Sequence, residues 1–218
     1  EAGGEDDRGG KGVREKNGEE LGSSQRLAPF PMHENLAVAE AAAILSRGGL
    51  VLYPTEAVWG LGCDPFDEAA VHRLLEIKQR PVEKGMILIA GDPAQLDGIV
   101  DWAGLPAERT AAVRATWPGA HTWVVPALPR VPRWIAGTHA SVAVRVSAHP
   151  AVVALCAAFG GALVSTSANF AGAPAVRVRD HLDPRLLARL DGVLVGETGG
   201  LDRPTPIRDA RSGESLRP

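Results

Sequence analysis

The sequence has few cysteines and no long apolar run, and each absence excludes a class of protein. Only Cys63 and Cys156 occur in 218 residues, far apart and without CxxC spacing. This excludes a disulfide framework and a cysteine zinc site and is typical of a reducing compartment, so we predict a cytoplasmic protein. No apolar stretch approaches the roughly 18 residues of a membrane span, and the first residues do not have the layout of a signal peptide. We therefore expect no membrane partner.

Several motifs of common enzymes are also missing. There is no G-x-x-x-x-G-K-[ST], and the glycines at 60 and 62 are not followed by the third glycine of a dinucleotide fingerprint. The serines lack the G-x-S-x-G elbow, and the six histidines show no metal-ligand spacing, so we predict no protein-bound metal. The net charge of −3 gives no global basic field for nucleic acid, although a local basic cleft remains possible. A phosphate would therefore have to be bound by side-chain cations.

The chain divides near Met32 into two parts of different composition. Residues 1–31 are rich in glycine and mixed charge and nearly free of large apolar side chains, which predicts a disordered extension or a non-native tail. Residues 32–218 alternate helical and strand patterns, which favours a single α/β domain with a layered sheet, some of whose later strands pair antiparallel. The predicted helices are Asn35 to Arg47 with Asn35 as N-cap, Asp67 to Pro81, 106–116, 149–159 and 180–190. The predicted strands are Leu50 to Tyr53, "GMILIAG", "HTWVVPA", "SVAVRVS", "GALVST" and "GVLVG", before an irregular C-terminal end.

Two cations stand in unusual positions near the end of the second helix. Lys78 lies seven residues after Val71, which places it on the apolar face of the helix, and Arg80 follows at the exit. Both could bind a phosphate. The alternative is that they only complement the negative end of the helix dipole.

A third cation is expected inside the sheet. In "SVAVRVS", alternation places Ala143 and Arg145 on one face of the strand. An enclosed guanidinium is costly unless it meets an anion, and its planar fork suits a carboxylate or a phosphate. A structural ion pair with an internal acid is equally compatible with this pattern.

Polar residues also concentrate after the strand that ends at Val164. The stretch "STSANFAGAP" contains two serines, a threonine and Asn169 at a strand end, and "YPTE" leaves another strand in the same way. Such residues often satisfy only the backbone of a turn. Because ligands of α/β sheets usually bind beyond the carboxyl ends of strands, both stretches are candidates for a binding site there.

Taken together, the motifs resemble the bacterial YrdC/TsaC family, the threonylcarbamoyl-AMP synthases. The resemblance runs in order from about Asn35 to the C-terminus, and the combination of K-x-R with S-x-N is specific to that family. It corresponds to the short, single-domain form. The matching stretches are "YPTEAVWGLGCDP", "LLEIKQRPVEKGMILIA", "TWPGAHTWVVPA", "SVAVRVSAHPAVVALC", "LVSTSANFAG" and "GETGG" with "IRD".

The resemblance implies a fold, a reaction and partners. The fold would be a twisted, mixed parallel and antiparallel sheet with flanking helices and a concave ligand pocket. The enzyme, a nucleotidyltransferase, would convert L-threonine, bicarbonate or CO2, and ATP into threonylcarbamoyl-AMP and pyrophosphate, with Mg²⁺ carried by the nucleotide. The product would serve the N6-threonylcarbamoyladenosine (t6A37) modification of tRNA through downstream threonylcarbamoyl-transfer proteins.

The resemblance also implies roles for ten residues of this sequence. Threonine would be bound by Thr55, Arg145 and Thr205, with Arg145 holding an anionic group such as the carboxylate. ATP would be bound by Thr122, Ser165, Ser167, Asn169 and Arg217 together with Lys78 and Arg80, and the last two would be the catalytic residues.

Two other functions remain open at the level of sequence. One is a non-catalytic module that binds tRNA or double-stranded RNA, whose binding would weaken steeply with salt and ignore threonine. The other is a carbamoyl-transfer relative with a different acceptor.

Overall fold

The structure, a computed structural model, describes residues 32–217, which form ten strands and six α-helices. The strands are β1 (His33–Leu36), β2 (Val51–Pro54), β3 (Trp59–Gly62), β4 (Ile87–Ala90), β5 (Thr122–Pro126), β6 (Ser141–Val146), β7 (Leu163–Ser167), β8 (Gly192–Leu194), β9 (Ile207–Asp209) and β10 (Ser215–Arg217). The α-helices are α1 (Val38–Leu45), α2 (Glu68–Ile77), α3 (Ala107–Arg114), α4 (Arg133–Ala136), α5 (Pro150–Phe159) and α6 (Pro184–Leu187).

The strands form a sheet in the order β1-β8-β2-β3-β7-β4-β6-β5-β9-β10. Its pairings are mixed: β4 pairs with β6, and β5 with β9, in parallel, whereas β3 pairs antiparallel with both β2 and β7. The predicted mixed α/β sheet with flanking helices is therefore confirmed.

Apolar side chains cover both faces of the sheet, as alternation in the strands requires. Tyr53 on β2 and Ile89 on β4 join a cluster with α1 and α5. Their neighbours Leu52 and Leu88 join the larger cluster on the other face, which includes the buried side of α2. Cross-strand pairing thus decides which residues share a face, and this also places the site.

Helix α2 begins and ends for local reasons. Asp67 is the N-cap and accepts a hydrogen bond from the backbone N–H of Ala70 at 3.0 Å, as its residue type predicts. Lys78 is the C-cap, and Gln79 then takes a left-handed conformation with φ of 46°. The helix consequently stops before Pro81, where the sequence predicted its end, and the turn carries Lys78 and Arg80 out of the helix.

Two helix predictions need correction. Asn35 is not an N-cap: it lies in β1 with φ of 59°, and α1 begins after Ala37. The helix predicted over 180–190 is only the short α6, preceded by a 3₁₀ turn at Arg179–His181. Pro184 is the first residue of α6, where its missing N–H is harmless but where it prevents a preceding helix from continuing.

Four strands were not predicted at all. Trp59–Gly62, interpreted from sequence as part of a turn, is β3 and forms a hairpin with β2. The C-terminal end, predicted to be irregular, contains β9 and β10, and β9 extends the sheet beside β5. The remaining one is β1 at the opposite edge.

Two further sequence expectations concern membrane-spanning helices and residues 1–31. Among residues 32–217 no helix has both the length and the apolar character needed to cross a membrane. The predicted disorder of residues 1–31 falls on residues outside the part that the structure describes.

Candidate active site

A cavity of about 930 Å³ lies against the middle of the sheet. Ile87 on β4 is the cross-strand partner of both Ala143 on β6 and Ser165 on β7, so these three side chains share one face, and all three line the cavity. Arg145 follows Ala143 by two residues and lines it as well. The cavity therefore extends along the sheet face and is not confined to the carboxyl ends of strands, where the sequence placed the ligand.

The structure brings nine of the ten predicted site residues to this cavity. The residues are Thr55, Lys78, Arg80, Thr122, Arg145, Ser165, Ser167, Thr205 and Arg217. Asn169 is not among the lining residues. Its amide nitrogen donates to the carbonyls of Phe170 and Ala173, so the side chain is turned into its own loop and fixes the loop's shape.

Lys78 is buried beneath residues 165–174, the end of β7 and the loop that follows it, which we call the serine loop. Its ammonium donates to the carbonyl of Ser167 at 2.7 Å, to the carbonyl of Asn169, and to the Asn169 side-chain oxygen at 3.3 Å. Desolvation, with a smaller contribution from Arg80, lowers the pKa of Lys78 to about 8. Because an ammonium has three N–H donors, these three acceptors use all of them, and Lys78 fixes the backbone of the serine loop.

Arg80 is fixed by the turn that follows it. Its Nε and Nη2 donate to the carbonyl of Gly85 at 3.1 and 2.8 Å. Desolvation lowers the pKa of this guanidinium, which is still charged at neutral pH. The side chain is thereby oriented along the cavity wall, and Lys84 lines the cavity beside it.

Arg145 lies at the centre of a polar network on the cavity floor. Its Nη1 donates to the hydroxyl of Thr205 at 3.1 Å, and that hydroxyl lies 3.2 Å from the hydroxyl of Thr122. Burial lowers the pKa of Arg145, and the nearby carboxylate of Glu56 opposes this shift. Arg217 closes the network from β10, since its Nη2 donates to the carbonyl of Thr205 at 2.8 Å.

Thr55 and Gly60 form the wall opposite this network. The Thr55 hydroxyl donates to the carbonyl of Val58 at 2.7 Å, so towards a ligand it can act only as an acceptor. A Cβ at Gly60 would lie 3.1 Å from the Thr55 methyl group, so glycine keeps this wall open. Gly62 is required by the packing of the neighbouring strand, since a Cβ there would lie 2.3 Å from the carbonyl oxygen of Val164.

The sequence did not single out two acidic residues of the site. Asp209 on β9 lines the cavity; it belongs to the matching stretch "IRD", but no role was predicted for it. Glu56 is buried behind Thr55, 3.7 Å from Arg145. Its position in "YPTE", directly after an apolar strand, was a signal that could have marked it.

Cations dominate the charge of the cavity wall. Five lining residues are cationic, namely Lys78, Arg80, Lys84, Arg145 and Arg217, against the single lining carboxylate of Asp209. Hydroxyl groups of threonine and serine lie between them. Fold and site together define an α/β protein with an open mixed sheet whose face carries a cavity suited to a polyanion and a second small polar ligand.

Comparison with known families agrees with this class. The family model Sua5_yciO_yrdC, described as "Telomere recombination", matches residues 43–218. The chain therefore belongs to the Sua5/YciO/YrdC family, as the sequence motifs indicated.

Individual relatives support the same assignment. A protein of Stenotrophomonas maltophilia named threonylcarbamoyl-AMP synthase is 61% identical over 184 residues, which cover 84% of this chain and 99% of the relative. The H234A/Y235A variant of P. abyssi Sua5 is 28% identical with a TM-score of 0.78, covering 87% of this chain and 60% of that one. P. abyssi Sua5 complexed with L-threonine is also 28% identical, with a TM-score of 0.73 and coverages of 84% and 54%. This chain thus spans little more than half the length of the Sua5 chains.

Proposed function

We propose that the protein is an L-threonylcarbamoyladenylate synthase, which forms threonylcarbamoyl-AMP and pyrophosphate from L-threonine, bicarbonate or CO2, and ATP. The observation that carries this proposal is the cavity, which combines a row of cations with a separate group of hydroxyls around Arg145. High identity to a relative of that name over nearly its whole length supports it. Residues 32–218 would act as one catalytic domain.

The chemistry needs no nucleophile from the protein. The amine of threonine adds to CO2 and loses a proton, giving a carbamate. With bicarbonate, the amine proton and a hydroxide from bicarbonate leave together as water. A carbamate oxygen then attacks the α-phosphorus of ATP, and the bond from that phosphorus to the bridging oxygen of pyrophosphate breaks. The protein has to position two anions and neutralise their charge, which fixed cations and hydroxyls do well.

The geometry suggests a division of labour along the cavity. Arg80, with Lys84 beside it, would bind the phosphates, while Arg217 would bind ATP from the other side. Lys78 would act on the phosphates mainly by holding the Ser167 loop in place, because its donors are engaged by that loop.

The hydroxyl groups would contact the two organic ligands. Thr122, Ser165 and Ser167 would face the nucleotide, and the fixed amide of Asn169 would keep their loop in shape. Thr55 and Thr205 would contact threonine, with Arg145 holding its carboxylate. The guanidinium can bind the carboxylate of an amino acid, while the neighbouring hydroxyl groups contact its polar side chain.

Mg²⁺ would arrive with the nucleotide. Among residues 32–217 no group of three or more His, Cys, Asp or Glu residues could hold a metal ion. Mg²⁺ is commonly bound through substrate phosphates and water with few protein ligands, so the residues of this cavity fit a metal carried by ATP. When bound, the ion would offset part of the triphosphate charge.

The pathway context follows from the product. An acyl-phosphate anhydride of this kind is reactive, so proteins that transfer the threonylcarbamoyl group to adenosine in tRNA would act next. We place the reaction in the cytoplasm, where the two buried free thiols, Cys63 and Cys156, would stay reduced. The cations that line the cavity would also attract tRNA, although the reaction itself does not need tRNA.

The test is a defined reaction with matched variants. Incubation with ATP, threonine, bicarbonate and Mg²⁺ should release pyrophosphate only when threonine is present, and mass spectrometry should detect the adenylate. Arg80→Ala should lower turnover at least about tenfold. Arg189→Ala, which removes an exposed arginine paired with Glu76, should leave turnover unchanged.

Two outcomes would favour other functions. If neither pyrophosphate nor adenylate forms with Mg²⁺ present, the proposal is wrong. Activity with carbamoyl phosphate and no threonine would indicate a carbamoyl-transfer enzyme. Salt-sensitive RNA binding without any turnover would indicate a binding module.

A further inference from the structure

Glu56 is a buried acid with one oxygen anchored and the other without a hydrogen-bond partner. Its Oε1 accepts from the hydroxyl of Ser147 at 2.7 Å and from the backbone N–H of Ala148 at 3.2 Å. Its Oε2 is buried, has no hydrogen-bond partner within residues 32–217, and lies 3.7 Å from Nη2 of Arg145. Because a buried carboxylate is costly unless it is paired, this arrangement calls for a reason.

Arg145, which faces this oxygen, also has hydrogen-bond donors that the described residues do not use. Arg145 is 7% exposed, and its Nε is buried without a hydrogen-bond partner among the described residues. Thr205 accepts from Nη1. Two opposite charges, each on a side chain about nine-tenths buried, therefore face each other beyond hydrogen-bond distance. The guanidinium keeps donor capacity for an anion in the cavity.

Glu56 is held in place from its backbone as well. The carbonyl of Glu56 accepts from the N–H of Leu201 at 3.0 Å, and the carbonyl of Thr55 accepts from the N–H of Gly199 at 2.9 Å. Arg145 thus meets a carboxylate whose main chain and whose Oε1 are both fixed. A fixed carboxylate restricts the orientation of the guanidinium opposite to it.

Glu56 also divides the cavity by charge. Two guanidinium groups, those of Arg145 and Arg217, meet at Thr205, and the buried carboxylate of Glu56 beside Arg145 offsets the charge of one of them. Arg80 and Lys84 have no carboxylate partner among their described ion pairs, so the other end is strongly cationic. A triphosphate is attracted to the cationic end, whereas a ligand with one carboxylate can pair with Arg145 without competing against uncompensated charge.

We propose that Glu56 is a positioning and specificity residue for the amino acid. It orients Arg145 towards a single carboxylate and offsets the charge of Arg145, so that the amino-acid subsite attracts polyphosphate less than the Arg80 end of the cavity does. The inference rests on the proposed function, because that function makes an amino acid and a triphosphate the two ligands.

The test is the isosteric variant Glu56→Gln. The amide oxygen can still accept from Ser147 and Ala148, but the charge beside Arg145 is lost. We expect the KM for threonine to rise about 30-fold, because Arg145 loses the fixed carboxylate that orients it, while the KM for ATP changes less than about twofold. In the wild type, inorganic triphosphate should compete only with ATP. In the Glu56→Gln variant, it should compete with threonine as well.

Two further variants separate this role from a loss of structure. Glu56→Asp keeps the charge, so triphosphate should still not compete with threonine, even if the threonine KM rises. Asp191→Asn makes the same chemical change at a buried acid outside the cavity, which accepts from Leu50 and pairs with Arg73 at 2.7 Å. It should lower the melting temperature and leave both KM values unchanged.

Clear results would overturn the proposal. A folded Glu56→Gln protein whose threonine KM stays within twofold of wild type would do so, as would equal rises in both KM values. If Glu56→Gln does not fold, triphosphate competing with threonine in Glu56→Asp would count against it in the same way.

Calorimetric binding of threonine distinguishes this proposal from the proposed reaction. Wild-type protein that binds threonine in a Glu56-dependent manner without releasing pyrophosphate would refute the reaction and support the role of Glu56. Wild-type protein that does not bind threonine would refute both.

Discussion

Replacing Lys78 by methionine tests whether the ammonium under the serine loop is desolvated. The wild-type ammonium donates to three oxygen atoms of Ser167 and Asn169, and hydrogen bonds from a charged donor contribute about 1.5 kcal/mol or more each. Its desolvation acts in the opposite direction: a pKa lowered from 10.5 to about 8 corresponds to roughly 3 kcal/mol. The two effects largely cancel, so Lys78→Met should cost only about 1 to 2 kcal/mol of stability at pH 7.

The pH dependence gives the sharper result. The pKa of Lys78 in the folded protein lies below its value in the unfolded chain, so between about pH 8 and 10.5 the unfolded chain binds the extra proton. Stability of the wild type therefore rises with pH in this window, relative to a protein without the amine. The difference in unfolding free energy between wild type and Lys78→Met should grow by about 2 kcal/mol from pH 7 to pH 10.

Urea denaturation of both proteins at several pH values measures this difference, because groups common to both cancel. A difference that stays constant from pH 7 to 10 would refute the desolvation of Lys78. If the difference shrinks with rising pH, the carbonyl acceptors raise the pKa of Lys78 in the folded protein above its value in the unfolded chain. Turnover should fall in the variant at every pH, since the Ser167 loop loses its anchor.

Three further substitutions have expected outcomes. Thr205→Val keeps the shape but removes the acceptor of Arg145, so urea denaturation should show a loss of about 2 kcal/mol and calorimetry weaker threonine binding. Gln79→Gly relieves a left-handed conformation with φ of 46° and should raise the melting temperature, by about 1 kcal/mol of stability, whereas an unchanged value would mean that no strain exists. Gly62→Ala places a Cβ 2.3 Å from the carbonyl of Val164, and we expect at least about 3 kcal/mol of destabilisation, with a smaller loss contradicting this packing.

Local pattern was sufficient where a residue's neighbours in sequence determine its environment. Alternation in "SVAVRVS" placed Arg145 on one face of β6, and the structure buries it there between β4 and β5. Helical spacing placed Lys78 on the apolar side of α2, and it is 9% exposed. The capping residue Asp67 was also correct, because the cap depends only on the next few residues.

Long-range pairing could not be predicted in the same way. Nothing near Gly60 shows that its strand will pair with Ser167, so β3 was taken for a turn. The same holds for β9, whose partner β5 is distant in sequence. The ligand-facing roles of side chains depend on such pairings. Lys78 illustrates this. Its spacing indicated a buried cation but could not show that the carbonyls of the serine loop would accept its N–H donors.

The strand order has a consequence for how the protein folds. Neighbours such as β3 and β7, or β2 and β8, come from opposite halves of the sequence. Bringing them together closes a long loop, and this loss of chain entropy precedes the hydrogen bonds that offset it. The cavity draws its walls from both β3 and β10, and it exists only after these distant strands have joined the sheet. A nascent chain emerging from the ribosome would therefore expose unpaired strand edges for much of its synthesis. Ligand binding would be among the last properties that the chain acquires.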